Sequence, residues 1–145
     1  MDVIGLKTNV VIEARDPSGR LVNRIRRHNL VTLAGRNLIR DALNGTVAGI
    51  GLDKVAVGTG STAVAPEQTA LVAEADRGPI SQRVLDDGSL TVQRYLTTAD
   101  ANGVSIQEAG LFAGSVMLAR VVFPEVAKTS DLTVTITWTV SIGAA

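Results

Sequence analysis

The chain has one histidine, His28, and no cysteine, and this limits the chemistry it can carry. Without a thiolate there is neither a disulfide nor a cysteine metal site. A nucleophile–histidine triad, a two-histidine zinc site or a histidine acid–base pair would have to be built on His28. Arg26 and Arg27 stand beside it, and no neighbouring carboxylate orients the ring. His28 is therefore expected to be a surface residue. Gly58-Thr59-Gly60-Ser61-Thr62-Ala63 matches the loose G-x-G-x-x-A form of a dinucleotide loop. Its surroundings do not match: Pro66 follows soon after, no long helix opens at the loop, and no βαβ alternation encloses it. A phosphate-binding P-loop would also need a lysine that the segment lacks. Asp86-Asp87 and Asp100 sit in turn sequences, which account for them without a cation.

Glu108 lies in an apolar stretch, Ile106-Gln107-Glu108-Ala109-Gly110-Leu111-Phe112. On a strand it shares a face with Ile106, Gly110 and Phe112. A buried carboxylate needs a partner such as an arginine. Glu108 is expected to form a structural ion pair, within the chain or between subunits, rather than to act as a catalytic acid. Arg20, Arg24, Arg26, Arg27, Arg36 and Arg40 give the first third of the chain a basic character, but no Phe, Tyr or Trp is interleaved with them. Single-strand binding wants such stacking platforms, so direct nucleic-acid contact is not expected.

The elements that must position these residues are strands. Leu132 to Ile142 reads Leu-Thr-Val-Thr-Ile-Thr-Trp-Thr-Val-Ser-Ile. With a period of two, Leu132, Val134, Ile136, Trp138, Val140 and Ile142 share one face, and the threonines and Ser141 form a hydroxyl ladder on the other. At about 3.3 Å per residue the run spans roughly 36 Å and needs pairing partners along most of its length. Asn9 to Arg15 and Leu21 to Arg27 predict a hairpin across Asp16-Pro17-Ser18-Gly19, with the arginine-rich arm as a charge-protected edge. Leu52 to Val57 predicts a strand, and Pro66 to Leu71 a short helical turn. Ile80 to Leu85 with Leu90 to Thr97 forms a second hairpin across Asp86-Asp87-Gly88-Ser89, and Val104 to Phe112 with Val116 to Phe123 a third pair. Thr32 to Asn44 is the one convincing helix. Thr32 caps it, Ala34, Leu38, Ile39, Ala42 and Leu43 form its apolar stripe, and Asn44-Gly45 ends it. About eight strands and one helix result.

Composition agrees. Hydrophobic residues make up 46% of the chain but aromatics only 3%, so the core is aliphatic and suits strands. No apolar run is long enough to span a membrane as a helix, and the first residues lack the layout of a signal peptide. Synthesis and assembly in a cytoplasm are expected. Net charge is zero, yet residues 1–50 carry eight Lys/Arg against four Asp/Glu and residues 51–145 carry six against ten. That asymmetry suits head-to-tail or partner-facing complementarity.

The order of motifs adds a resemblance. Gly35-Arg36-Asn37-Leu38-Ile39 comes first, then Val55-Ala56-Val57-Gly58-Thr59-Gly60, Ala65-Pro66 and Gln68-Thr69-Ala70-Leu71. Gln107-Glu108-Ala109-Gly110-Leu111-Phe112, Met117-Leu118-Ala119-Arg120 and the threonine-rich strand with Trp138 follow. This succession, over roughly residues 28–142, resembles small structural proteins of tailed bacteriophages, most of all capsid decoration (cement) proteins. The resemblance implies a mainly β fold with one amphipathic helix, a β-barrel or β-tulip-like sandwich that assembles as a homotrimer. It implies no catalysis and no cofactor. The partners would be the major capsid protein and further copies of the chain, without direct nucleic-acid or membrane contact. The place would be the capsid surface of the virion, where such a protein bridges neighbouring capsid subunits. A tail, baseplate or fibre component, and a receptor- or carbohydrate-binding β-module, are the alternatives. Residues 1–8 are expected to form an N-terminal arm and residues 9–145 a single β-rich domain. Candidate interface residues are Val3, Ile4 and Leu6 of the arm, Arg24, Arg26 and Arg27 of the edge, and Glu108 and Trp138.

Overall fold

A computed structural model of the chain describes residues 4–144. Ten strands and one helix occur among them: β1 (Ile4–Arg15), β2 (Leu21–His28), β3 (Leu30–Val31), α1 (Leu33–Leu43), β4 (Lys54–Gly58), β5 (Glu74–Pro79), β6 (Gln82–Asp86), β7 (Ser89–Leu96), β8 (Ser105–Ala113), β9 (Val116–Ala127) and β10 (Thr133–Ala144). One antiparallel sheet has the order β2-β1-β10-β7-β6 and the other β3-β9-β8-β4-β5. The mainly β fold with one helix is as expected, but of the barrel or sandwich alternatives the closed barrel is not formed. β2 and β3 follow one another in the chain, yet each pairs within a different sheet, and β3 is only two residues long. The backbone crosses between the layers at Asn29, so the structure is two sheets with open edges.

β10 occupies the centre of the first sheet, as its pattern demands. It pairs with β1 from Thr133↔Arg15 to Ala144↔Ile4 and with β7 from Val134↔Leu96 to Ser141↔Ser89. Val134, Ile136 and Trp138 are buried against Val10, Ile12 and Ala14 of β1, and the threonines face outward. Thr139 meets Thr91 at 3.3 Å, and Gln93 donates to Thr137 at 3.1 Å, so the ladder is hydrogen-bonded across strands. The inner face packs on Val55, Val57, Ala109, Leu111, Ala119 and Val121 of the second sheet. A smaller cluster, Ala56, Leu71, Phe112 and Met117, lies on that sheet's opposite side.

The first hairpin turns where expected. Asp16 accepts from the N–H groups of Ser18 and Arg20, each at 3.0 Å, and Gly19 takes the positive φ. Residues 4–8, expected as an arm, continue β1 and pair with the end of β10. Helix α1 begins at its Thr32 cap, whose Oγ1 accepts from Gly35 N at 2.9 Å and donates to Met117 O at 2.6 Å. Its stripe is not buried as expected: Gly35 is the buried helix residue, while Ile39 and Leu43 are exposed. The helix touches β9 through its first turn, so close that a Cβ at Gly35 would lie 2.7 Å from Leu118 O. The later turns overhang.

Candidate functional site

The most connected polar group in the fold is Glu108. A register shift separates Ile106 from Glu108 on β8, so the two do not share a face as the unbroken alternation predicted. Ile106 joins the main core, and Glu108 turns to the other side of the sheet, beneath the segment linking β4 to β5. One carboxylate oxygen accepts from Gly60 N and Ala73 N, each at 2.8 Å. The other accepts from Val72 N at 2.9 Å and Arg120 Nε at 3.0 Å. Arg120 comes from β9, and its Nη1 continues outward to Thr62 O at 2.8 Å and Gln68 Oε1 at 3.1 Å. Gln68 in turn accepts from Ala65 N at 3.1 Å. Both members of the pair are buried.

Burial opposes ionisation of Glu108, yet its pKa lies below the ordinary glutamate value. The N–H groups of Ala73, Val72 and Gly60, together with Arg120, stabilise the anion by more than desolvation costs it. Two glycines permit the approach. A Cβ at Gly58 would lie 2.3 Å from Ala73 O, and one at Gly60 would lie 2.5 Å from a Glu108 oxygen. The G-x-G-x-x-A segment is thus a loop clasped by a carboxylate, which is the reverse of a loop that cradles a phosphate. Four donors occupy the two oxygens and leave no room for a substrate, so the arrangement acts as a latch rather than as an acid or base.

Two further buried cations tie separate segments together. Arg94 of β7 lies between the sheets, donates to Val55 O at 2.8 Å and forms an ion pair with Asp76 of β5. A Cβ at Gly78 would meet its guanidinium at 2.5 Å. Lys128 is buried, and its ammonium reaches Asn102 Oδ1 at 2.8 Å and Thr129 O at 2.9 Å. Desolvation lowers its pKa, and Asp100 partly offsets this. These contacts fasten the loop from Thr97 to Gly103, in which Ala101 adopts a positive φ.

Of the candidate interface residues, Val3 lies outside the described residues. Ile4 is exposed and Leu6 half-buried on β1. Arg24, Arg26 and Arg27 lie exposed on β2, which is the sheet edge that their charges predicted. Glu108 and Trp138 do not stand on the subunit surface. Glu108 finds its arginine within the chain, and Trp138 belongs to the core, with Nε1 donating to Asn29 Oδ1 at 3.2 Å. His28 is exposed and lines a shallow cleft with Leu6, Thr8 and Arg36. Among the described residues no group of three or more His, Cys, Asp or Glu side chains is placed to hold a metal ion, and no helix is long and apolar enough to cross a membrane.

Sequence reasoning quoted Arg120 and Gln68 within motifs but gave them no role, and it missed Arg94 and Lys128. The available signal was a lone cation inside an apolar run, as in Met117-Leu118-Ala119-Arg120-Val121-Val122, since a buried charge requires a partner. Compared with family models, curated proteins and solved structures, the chain finds no match.

Proposed function

We propose that the chain is a structural protein of a tailed-phage virion that decorates the capsid as a homotrimer and bridges neighbouring major capsid subunits without catalysis. The observation that carries this reading is where the motifs of the resemblance go. Gly58 and Gly60, Gln68, Glu108 and Arg120 belong to separate stretches of the sequence, yet all meet in one latch. Their work is mechanical: they pin the segment from Thr59 to Ala73 onto the outer face of a sheet. A protein that reinforces a shell needs such rigid connections, because it transmits load through shape rather than through chemistry. The hydroxyl ladder of β10 and the charged edge β2 supply surfaces able to meet neighbours.

The test is to mix the purified protein with expanded, undecorated heads and, separately, with tails, and to sediment each. Saturable binding to heads and not to tails is expected. Binding to tails alone would overturn the capsid assignment in favour of a tail component. Failure to bind either particle would overturn the virion reading.

A further inference from the structure

We propose that copies of this chain join head to tail through the two free edges of the first sheet, with β6 of one copy lying parallel to β2 of the next. This rests on the homo-oligomer part of the proposed function, but not on the particle that the oligomer decorates.

Direction comes from topology. Each neighbouring pair in the order β2-β1-β10-β7-β6 is antiparallel, so the two outer strands run the same way. Copies related by rotation about an axis along the strands therefore bring β6 and β2 together in parallel, which permits a closed ring.

Charge selects the same partners. β2 carries Arg24, Arg26 and Arg27, while β6 ends in Asp86 and runs into Asp87. Running parallel, the acidic end of one edge meets the basic end of the other. A two-fold contact of β2 with itself would bring these arginines together.

Register fits as well. Setting Asp86 beside Arg26 places Leu85 beside Ile25, Val84 beside Arg24 and Arg83 beside Asn23. Leu85 pairs with Leu90, which packs on the core, and Ile25 pairs with Ile12, so both face inward. Asp86 and Arg26 then share the outer face. Leu85 is 80% exposed in the single chain and would gain cover from Ile25. Arg83 donates to Leu52 O within its own chain, which holds its charge away from the neighbour.

The experiment is sedimentation equilibrium of the full chain across a concentration series, with folding monitored by Trp138 emission. Wild type is expected to form a closed oligomer. Asp86→Lys with Asp87→Lys should raise the dissociation concentration at least tenfold, as should Arg26→Glu with Arg27→Glu. Combining both pairs should recover most of the loss. Leu85→Lys, at an exposed position that spares the fold, should also weaken assembly. A wild type that is monomeric yet binds heads would overturn this proposal together with the homotrimer, and leave capsid decoration standing. Assembly broken by Leu85→Lys but indifferent to the Arg26 and Arg27 reversals would overturn it in favour of a two-fold β6–β6 dimer. Full assembly in every variant would also overturn it.

Discussion

Arg120 Nε lies 3.0 Å from Glu108 Oε1, with both side chains buried beneath the segment from Thr59 to Ala73. Neither residue could sit there alone. Removing one partner of a buried pair typically costs about 3–5 kcal/mol, because the other charge stays desolvated. Glu108→Ala should lose stability of that order in urea unfolding. The 59–73 segment should become the first site of limited proteolysis, because Gly60, Val72 and Ala73 lose their acceptor. Glu108→Leu combined with Arg120→Met should cost much less than the sum of the single changes.

The glycines of the latch offer a graded comparison. A Cβ at Gly58 would lie 2.3 Å from Ala73 O, whereas one at Gly51 meets nothing within 4 Å. Gly58→Ala is therefore expected to destabilise by about 1–3 kcal/mol through overpacking, and Gly51→Ala to change stability by about 0.5 kcal/mol or less. Thermal melting of the two variants side by side measures the difference.

The lowered pKa of Glu108 fixes the sign of a pH effect. The unfolded chain takes up this proton near the ordinary value, about 4.3, and the folded chain only at lower pH. The stabilisation is therefore complete above the unfolded value and disappears as pH falls through the folded one. The gap in unfolding free energy between wild type and Glu108→Gln should be constant near neutrality and narrow in acid. Denaturant titrations at a series of pH values read it directly.

Trp138 is the only tryptophan, is buried, and donates to Asn29 where the chain passes between sheets. Its emission should be blue-shifted in the folded protein and move to the red at the same midpoint as the loss of far-ultraviolet dichroism. Asn29→Ala leaves the indole N–H without its acceptor and should cost about 1–3 kcal/mol.

What was legible in the sequence follows from local periodicity. β10, the β1–β2 hairpin, the cap of α1 and the β6–β7 turn are all written in alternation or turn residues close together in the chain. β5 was invisible because Glu-Ala-Asp-Arg-Gly-Pro has no apolar alternation and lies on an edge, held by Arg94 and by pairing with β4. Glu108 keeps the side of Gly110 and Phe112 but not that of Ile106, because an interruption in register separates Ile106 from Glu108, and nothing in Ile106-Gln107-Glu108 announces it. The exposure of Leu43 on α1 contradicts its stripe because Gly35, not the stripe, sets the distance to β9. The need for an arginine beside Glu108 was readable, but the choice of Arg120 was not, because strand pairing between residues far apart decides it.

The most direct test of the capsid role uses DNA-filled heads that lack decoration, heated with and without the purified protein while released DNA is measured. Bridging of neighbouring capsid subunits should raise the temperature at which the heads rupture, saturably and in proportion to the protein bound. Heads that bind the protein yet rupture at an unchanged temperature would contradict a reinforcing role.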